Sequence, residues 1–125
     1  MITPPFFPPE EFQTRLRHVR HRLAERDIEA ALITTPENIY YLTGLNHQGF
    51  FAYHGLVVPV EGELLLIARA MERVTVENQL EGVEFIGYGD GVDPAQTTRQ
   101  ALARTGLGAA RLGLEERSLF LNSFV

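Results

Sequence analysis

Apolar side chains at Phe12, Leu16, Val19 and Leu23 recur at helical spacing, which predicts an amphipathic helix from Glu10 to Arg26 with one face on a core. Glu10 and Glu11 open it, where the helix dipole favours negative charge. Ala30 to Thr34 is a short apolar run with a β-branched end and predicts a buried strand. Thr35 then has the chemistry of a helix N-cap, and Pro36 that of a first helical residue. A short helix through Asn38 to Thr43 should follow, with Ile39 and Leu42 inward and Gly44 as its stop.

Two further apolar runs, His54 to Val60 and Glu63 to Ala68, are separated by Glu61-Gly62 and predict an antiparallel hairpin. A helix over Met71–Leu80, a strand over Val83–Tyr88 and a glycine-rich loop come next. Asp93 and Pro94 start a helix that runs to Thr105 and stops at Gly106. Arg111–Glu115 predicts a last strand. The apolar segment Leu119–Val125 needs a surface to pack on, which predicts either that this is a piece of a longer protein or that the domain ends here and a partner covers it. Helices alternating with strands predict a sheet covered on both faces, and the hairpin makes that sheet mixed. The expected architecture is therefore a three-layer α/β/α domain over residues 10–125 with five to six strands. Residues 1–9, with four prolines, form an extended arm.

Composition narrows the chemistry. Hydrophobic residues make up 45% of the 125 positions and charged ones 22%, as expected of one globular domain and not of a disordered chain. Acidic residues outnumber basic ones 16 to 11, for a net charge of -5, which argues against nucleic acid as a partner. The exception is the first helix, where Arg15, Arg17, Arg20, Arg22 and Arg26 gather with His18 and His21 as a solvated face or docking edge. The absence of cysteine excludes disulfides and a thiol nucleophile, and fits a cytoplasmic protein. No apolar run is long enough to span a bilayer, and the proline-rich start has no signal-peptide pattern.

Candidate reaction centres are sparse. His18 and His21 share a helix face but are surrounded by arginine, so no metal site is expected in this chain. The serines, Ser118 and Ser123, lie in the tail, away from any nucleophile elbow. Gly106-Leu107-Gly108 follows a helix, and Gly87-Tyr88-Gly89-Asp90-Gly91 has its third glycine one place early. Both read as turns, not nucleotide loops.

The stretch from Ile28 to Gly44, including Thr35-Pro36-Glu37-Asn38-Ile39-Tyr40-Tyr41-Leu42-Thr43-Gly44, resembles the amino-terminal domain of the creatinase/prolidase family. Gly55-Leu56-Val57-Val58-Pro59, Glu63–Ile67 and Arg111–Glu116 extend the resemblance over residues 10–125. It implies a ribonuclease-H-like α/β fold in which Pro36, Asn38, Tyr41 and Gly44 form a structural motif that aims the loop after it. It also implies a downstream pita-bread catalytic domain, absent from this chain, with two divalent ions (Mn, Co or Zn) held by Asp, Asp, His, Glu and Glu. The implied partners are that carboxy-terminal domain, a second copy in a homodimer, and a small peptide or amide substrate, with no membrane or nucleic acid. Loop 45–54 would approach an active site, with His47, Phe50, Tyr53 and His54 as substrate-proximal candidates; a packed aromatic loop is the alternative. Two departures stand out. The loop lacks the acidic-His-Glu-Arg run of many bacterial prolidases, and Ala52 falls where creatinase has arginine beside its substrate carboxylate. The resemblance therefore implies a non-catalytic domain of an Xaa-Pro dipeptidase or aminopeptidase P-like enzyme. The alternatives are a creatinase- or ectoine-hydrolase-like member, or a non-catalytic protein-binding relative.

Overall fold

The computed structural model describes residues 7–46 and 52–115. In chain order they form α1 (Pro9–Glu25), β1 (Ala30–Ile33), α2 (Pro36–Thr43), β2 (Gly55–Pro59) and β3 (Leu64–Arg69). A 3-10 turn (Ala70–Glu72), α3 (Arg73–Gln79), β4 (Val83–Tyr88), α4 (Pro94–Arg104) and β5 (Leu112–Leu114) complete them.

The five strands make one mixed sheet in the order β4-β3-β2-β1-β5. The expected hairpin is present: β2 runs antiparallel to β3, with Leu56 opposite Leu66, and also antiparallel to β1. The outer pairs, β3 with β4 and β1 with β5, are parallel. Four strands thus finish at the same end of the sheet, where β2 begins.

Side-chain alternation explains why the strands are apolar throughout. Ala31, Leu56, Val58, Leu64 and Leu66 face Leu23 of α1, Ile39 and Leu42 of α2 and Val76 of α3. Ala30, Leu32, Val57, Leu65 and Ile67 face the opposite way, with Ala101 and Leu102 of α4. A strand buried on both faces reads as a continuous hydrophobic run, because both of its side-chain sets need apolar partners. The three-layer expectation holds, with α1, α2 and α3 on one face and α4 on the other.

Helix α1 lies on the sheet by a partly buried stripe, Leu16, Val19 and Leu23. Its arginines do more than face solvent. Arg20 donates to the Pro59 carbonyl at 3.0 Å and to the Gly62 carbonyl, and so ties the helix to the hairpin turn. Arg15 donates to the Tyr41 carbonyl at 2.8 Å and stands 4.3 Å over the Tyr41 ring, with Phe7 and Phe12 also within cation–π range. His21 and Glu25 form only an exposed pair at 3.6 Å.

The helix expected over Met71–Leu80 is split into the 3-10 turn and α3. Crowding gives the reason. A Cβ on Gly87 of β4 would stand 2.9 Å from the Ala70 Cα, so the chain turns off β3 directly against the bare backbone of β4. Arg69 and Glu72, paired at 3.3 Å, brace that tight turn. Helix α4 follows expectation: Asp93 accepts from the Ala95 N–H at 3.0 Å, and Pro94 is the first helical residue.

Candidate functional site

The candidate site lies where β1, β3, β4 and β5 end and β2 starts. Loops gather there, and in α/β sheets that end most often carries function.

Pro36, Asn38 and Tyr41 lie in α2, and Gly44 ends it. Pro36 opens α2, Ile39 and Leu42 are buried, and Gly44 ends the helix in the left-handed region with φ 81°. The Gly44 N–H donates to the Tyr40 carbonyl at 2.8 Å, and only a residue without Cβ enters that conformation freely. Tyr41 is 46% exposed and carries the Arg15 guanidinium on its ring.

The cap of α2 is a correction in chemistry, though not in place. Thr35 occupies the N-cap position, but its hydroxyl makes no bond to its own helix. It donates to the Glu115 carboxylate at 2.7 Å. That carboxylate also accepts from the Thr35 N–H at 2.8 Å, the Thr34 hydroxyl at 3.3 Å, the Thr34 N–H and the Asn38 side-chain amide. Asn38 thus spends its amide on Glu115, a partner that local patterning does not reveal. Burial would raise the Glu115 pKa, but bonds from the Thr35 hydroxyl, the Asn38 amide and the two backbone N–H groups outweigh it and hold the group below its ordinary value. A depressed folded pKa gives stability that is present above the unfolded value of 4.5 and lost as pH falls through the folded one. Thermal midpoints measured from pH 6 downward should therefore fall more steeply below about pH 4.5 than those of the Glu115→Gln variant. Parallel curves for the two proteins would contradict this assignment.

The approaches to residues 47–51 are held from both sides. On the near side, the Gln79 side-chain oxygen accepts from the Asn46 N–H at 2.7 Å, and its amide donates to the Asn46 carbonyl at 2.6 Å. On the far side, the Tyr88 hydroxyl donates to the Tyr53 carbonyl at 2.9 Å. The Tyr53 and Thr98 hydroxyls meet at 3.0 Å, and the Thr98 hydroxyl reaches the Pro94 carbonyl.

Among the four substrate-proximal candidates, His47 and Phe50 lie outside the described residues. Tyr53 and His54 are brought together, but inward: they are 4% and 3% exposed. His54 Nδ1 donates to the Ala52 carbonyl at 2.9 Å. The Tyr53 phenol is pushed up by burial, and although the Thr98 bond opposes this, the group stays protonated at any ordinary pH. Burial also raises the Tyr88 phenol pKa, against the nearby Arg69 charge. Tyr53 and His54 thus have the surroundings of anchors. Gln79, Thr98 and Glu115 carry no mark in the sequence, because each bonds to residues dozens of positions away.

No group of three or more His, Cys, Asp or Glu able to hold a metal ion occurs among the described residues. No helix among them is long and apolar enough to cross a membrane.

Known proteins share both the sequence and this geometry. The Bacillus subtilis protein named "Putative dipeptidase YkvY" is 31% identical over 108 residues, which is 86% of this chain and 30% of that protein. The chain thus spans about a third or less of the curated relatives it matches. The creatinase/prolidase N-terminal domain of an X-Pro dipeptidase from Streptococcus pyogenes superposes with a TM-score of 0.75 at 25% identity, over 89% of this chain and 82% of that one. A dipeptidase from Pyrococcus horikoshii gives 0.68 at 29% identity, over 88% of this chain and 31% of that one. The Creatinase/Prolidase N-terminal domain family matches residues 15–124. With its mixed sheet, its helical layers and the Pro36–Gly44 motif all in place, the chain belongs to the creatinase/prolidase N-terminal domain family.

Proposed function

We propose that this chain is the non-catalytic amino-terminal domain of a cytoplasmic Xaa-Pro dipeptidase or aminopeptidase P-like hydrolase. The observation that carries this reading is the family match over residues 15–124, in a chain that spans only 30% of its dipeptidase-named relative. A carboxy-terminal catalytic domain supplies the reaction centre in this reading, with two divalent ions, Mn, Co or Zn, whose charge acidifies the attacking water there. This domain contributes contacts to a second copy in a homodimer and presents loop 45–54 to the small peptide substrate. Gln79, Tyr88 and Thr98 fix the ends of that loop, and Tyr53 and His54 serve it from within. His47 and Phe50 are its candidates for touching substrate.

The test is kinetic. The 125-residue chain should not cleave Xaa-Pro dipeptides with any of the three ions. Joined to its catalytic domain it should, and Phe50→Ala should then lower kcat/KM on the order of tenfold or more, because a misplaced enclosing group costs orientation. Unchanged kinetics would remove Phe50 from the site. The loop's lack of the acidic-His-Glu-Arg run of many prolidases favours a second reading as a hydrolase of small amides or guanidino compounds, though not of creatine, whose carboxylate Ala52 cannot pair. Turnover of such compounds in preference to dipeptides would select it.

A further inference from the structure

Strand β5 is poorly equipped to hold its own place. It has three residues, sits at the sheet edge and pairs only with β1 among the described strands. None of its residues is fully buried, and Leu114 is 48% exposed. Gly113 brings no side chain to pack. Parallel pairing is also the weaker kind. Yet the residue immediately after β5, Glu115, receives five hydrogen bonds from Thr34, Thr35 and Asn38, some 80 positions earlier. Bonds to an ionised acceptor are about twice as strong as neutral ones. The Thr34 and Thr35 N–H groups precede the first turn of α2, where positive partial charge collects.

We propose that Glu115 is a positioning residue: its carboxylate latches the end of β5 to the amino end of α2. The same helix, through Gly44, launches the loop that runs into Asn46. One carboxylate therefore ties the end of β5 to the helix that starts that loop. The consequence for catalysis rests on the role proposed above; the latch itself does not.

Amide hydrogen exchange on this chain tests it. Glu115→Ala should speed exchange at residues 112–114, Thr34 and Thr35 on the order of tenfold or more, while β2 and β3 keep their protection. Glu115→Gln preserves the side-chain volume but not the charge, and should give a smaller rise in the same segments. Should Glu115→Ala fail to fold, Asn38→Ala removes one donor alone and should raise exchange modestly at the same places. Unchanged exchange at 112–114 would overturn the latch, since β5 would then hold itself. An equal rise in β2 and β3 would overturn it too, because Glu115 would belong to the global core. Wild-type exchange in the Gln variant would overturn the carboxylate latch, since a neutral amide oxygen would then suffice.

Kinetics separate the latch from its purpose. In the protein joined to its catalytic domain, Glu115→Gln should lower kcat/KM at an assay temperature where the variant stays folded. Faster β5 exchange with unchanged kcat/KM would overturn the positioning role. Failure of the loop reading has a different signature: Phe50→Ala would be silent while Glu115→Gln still lowered kcat/KM.

Discussion

Leu66→Ala should lower the unfolding free energy by about 2–5 kcal/mol, the loss expected when a core leucine leaves a cavity. Leu66 is fully buried in β3, the strand between β2 and β4, and belongs to the core under α1, α2 and α3. Its neighbours Leu56 and Phe85 lie directly across both ladders, so the surroundings cannot easily collapse into the gap. Domains of this size are stable by roughly 5–15 kcal/mol in all, so the loss is a large share. Urea denaturation checks it. A change under 1 kcal/mol would mean that α1, α2 and α3 close over the gap more readily than their packing suggests.

The second large effect belongs to Gly55, the first residue of β2. A Cβ there would lie 2.2 Å from the Tyr53 hydroxyl oxygen and 2.8 Å from the adjacent ring carbon. Real contacts do not reach such distances, so Gly55→Ala must displace the phenol from Thr98. The expected cost is about 1–3 kcal/mol, in the range of other overpacked cores. The clash also makes a signed prediction about a pair. Tyr53→Phe deletes the nearest atom, so the double variant should be more stable than the two single losses summed would allow. Additive losses would show that the ring yields without moving its hydroxyl. Because Tyr53 anchors the chain just before β2, the Gly55 change should also disturb kinetics in the longer protein proposed above.

Much of this architecture is legible in the sequence, for a local reason. The stripe at Leu16, Val19 and Leu23, the Asp93-Pro94 start of α4 and the Gly44 stop each depend on neighbours within a turn or two. The same holds for the two apolar runs around Glu61-Gly62. The split before α3 is not legible, because it follows from the approach of Ala70 to Gly87, which meet only in the folded sheet. The Glu115 carboxylate and the Gln79 amide were equally hidden: each finds its partner on an element far away in the chain, and nothing in spacing marks which groups it meets. Tyr53 shows the same limit from the other side. A substrate-proximal and a packed residue look alike in an aromatic-rich loop until Thr98 is seen to receive the Tyr53 hydroxyl.

Helix α1 has a consequence for ionic strength. All eleven basic side chains are arginines, and the two that fasten this helix bind peptide carbonyls and ring faces. A neutral acceptor has no counter-charge for dissolved ions to mask, so these contacts feel less screening than an exposed ion pair such as Arg73–Glu77. Added salt should therefore leave the first helix seated on the hairpin, and a lysine in place of Arg20 would forfeit the planar fork that spans two backbone oxygens.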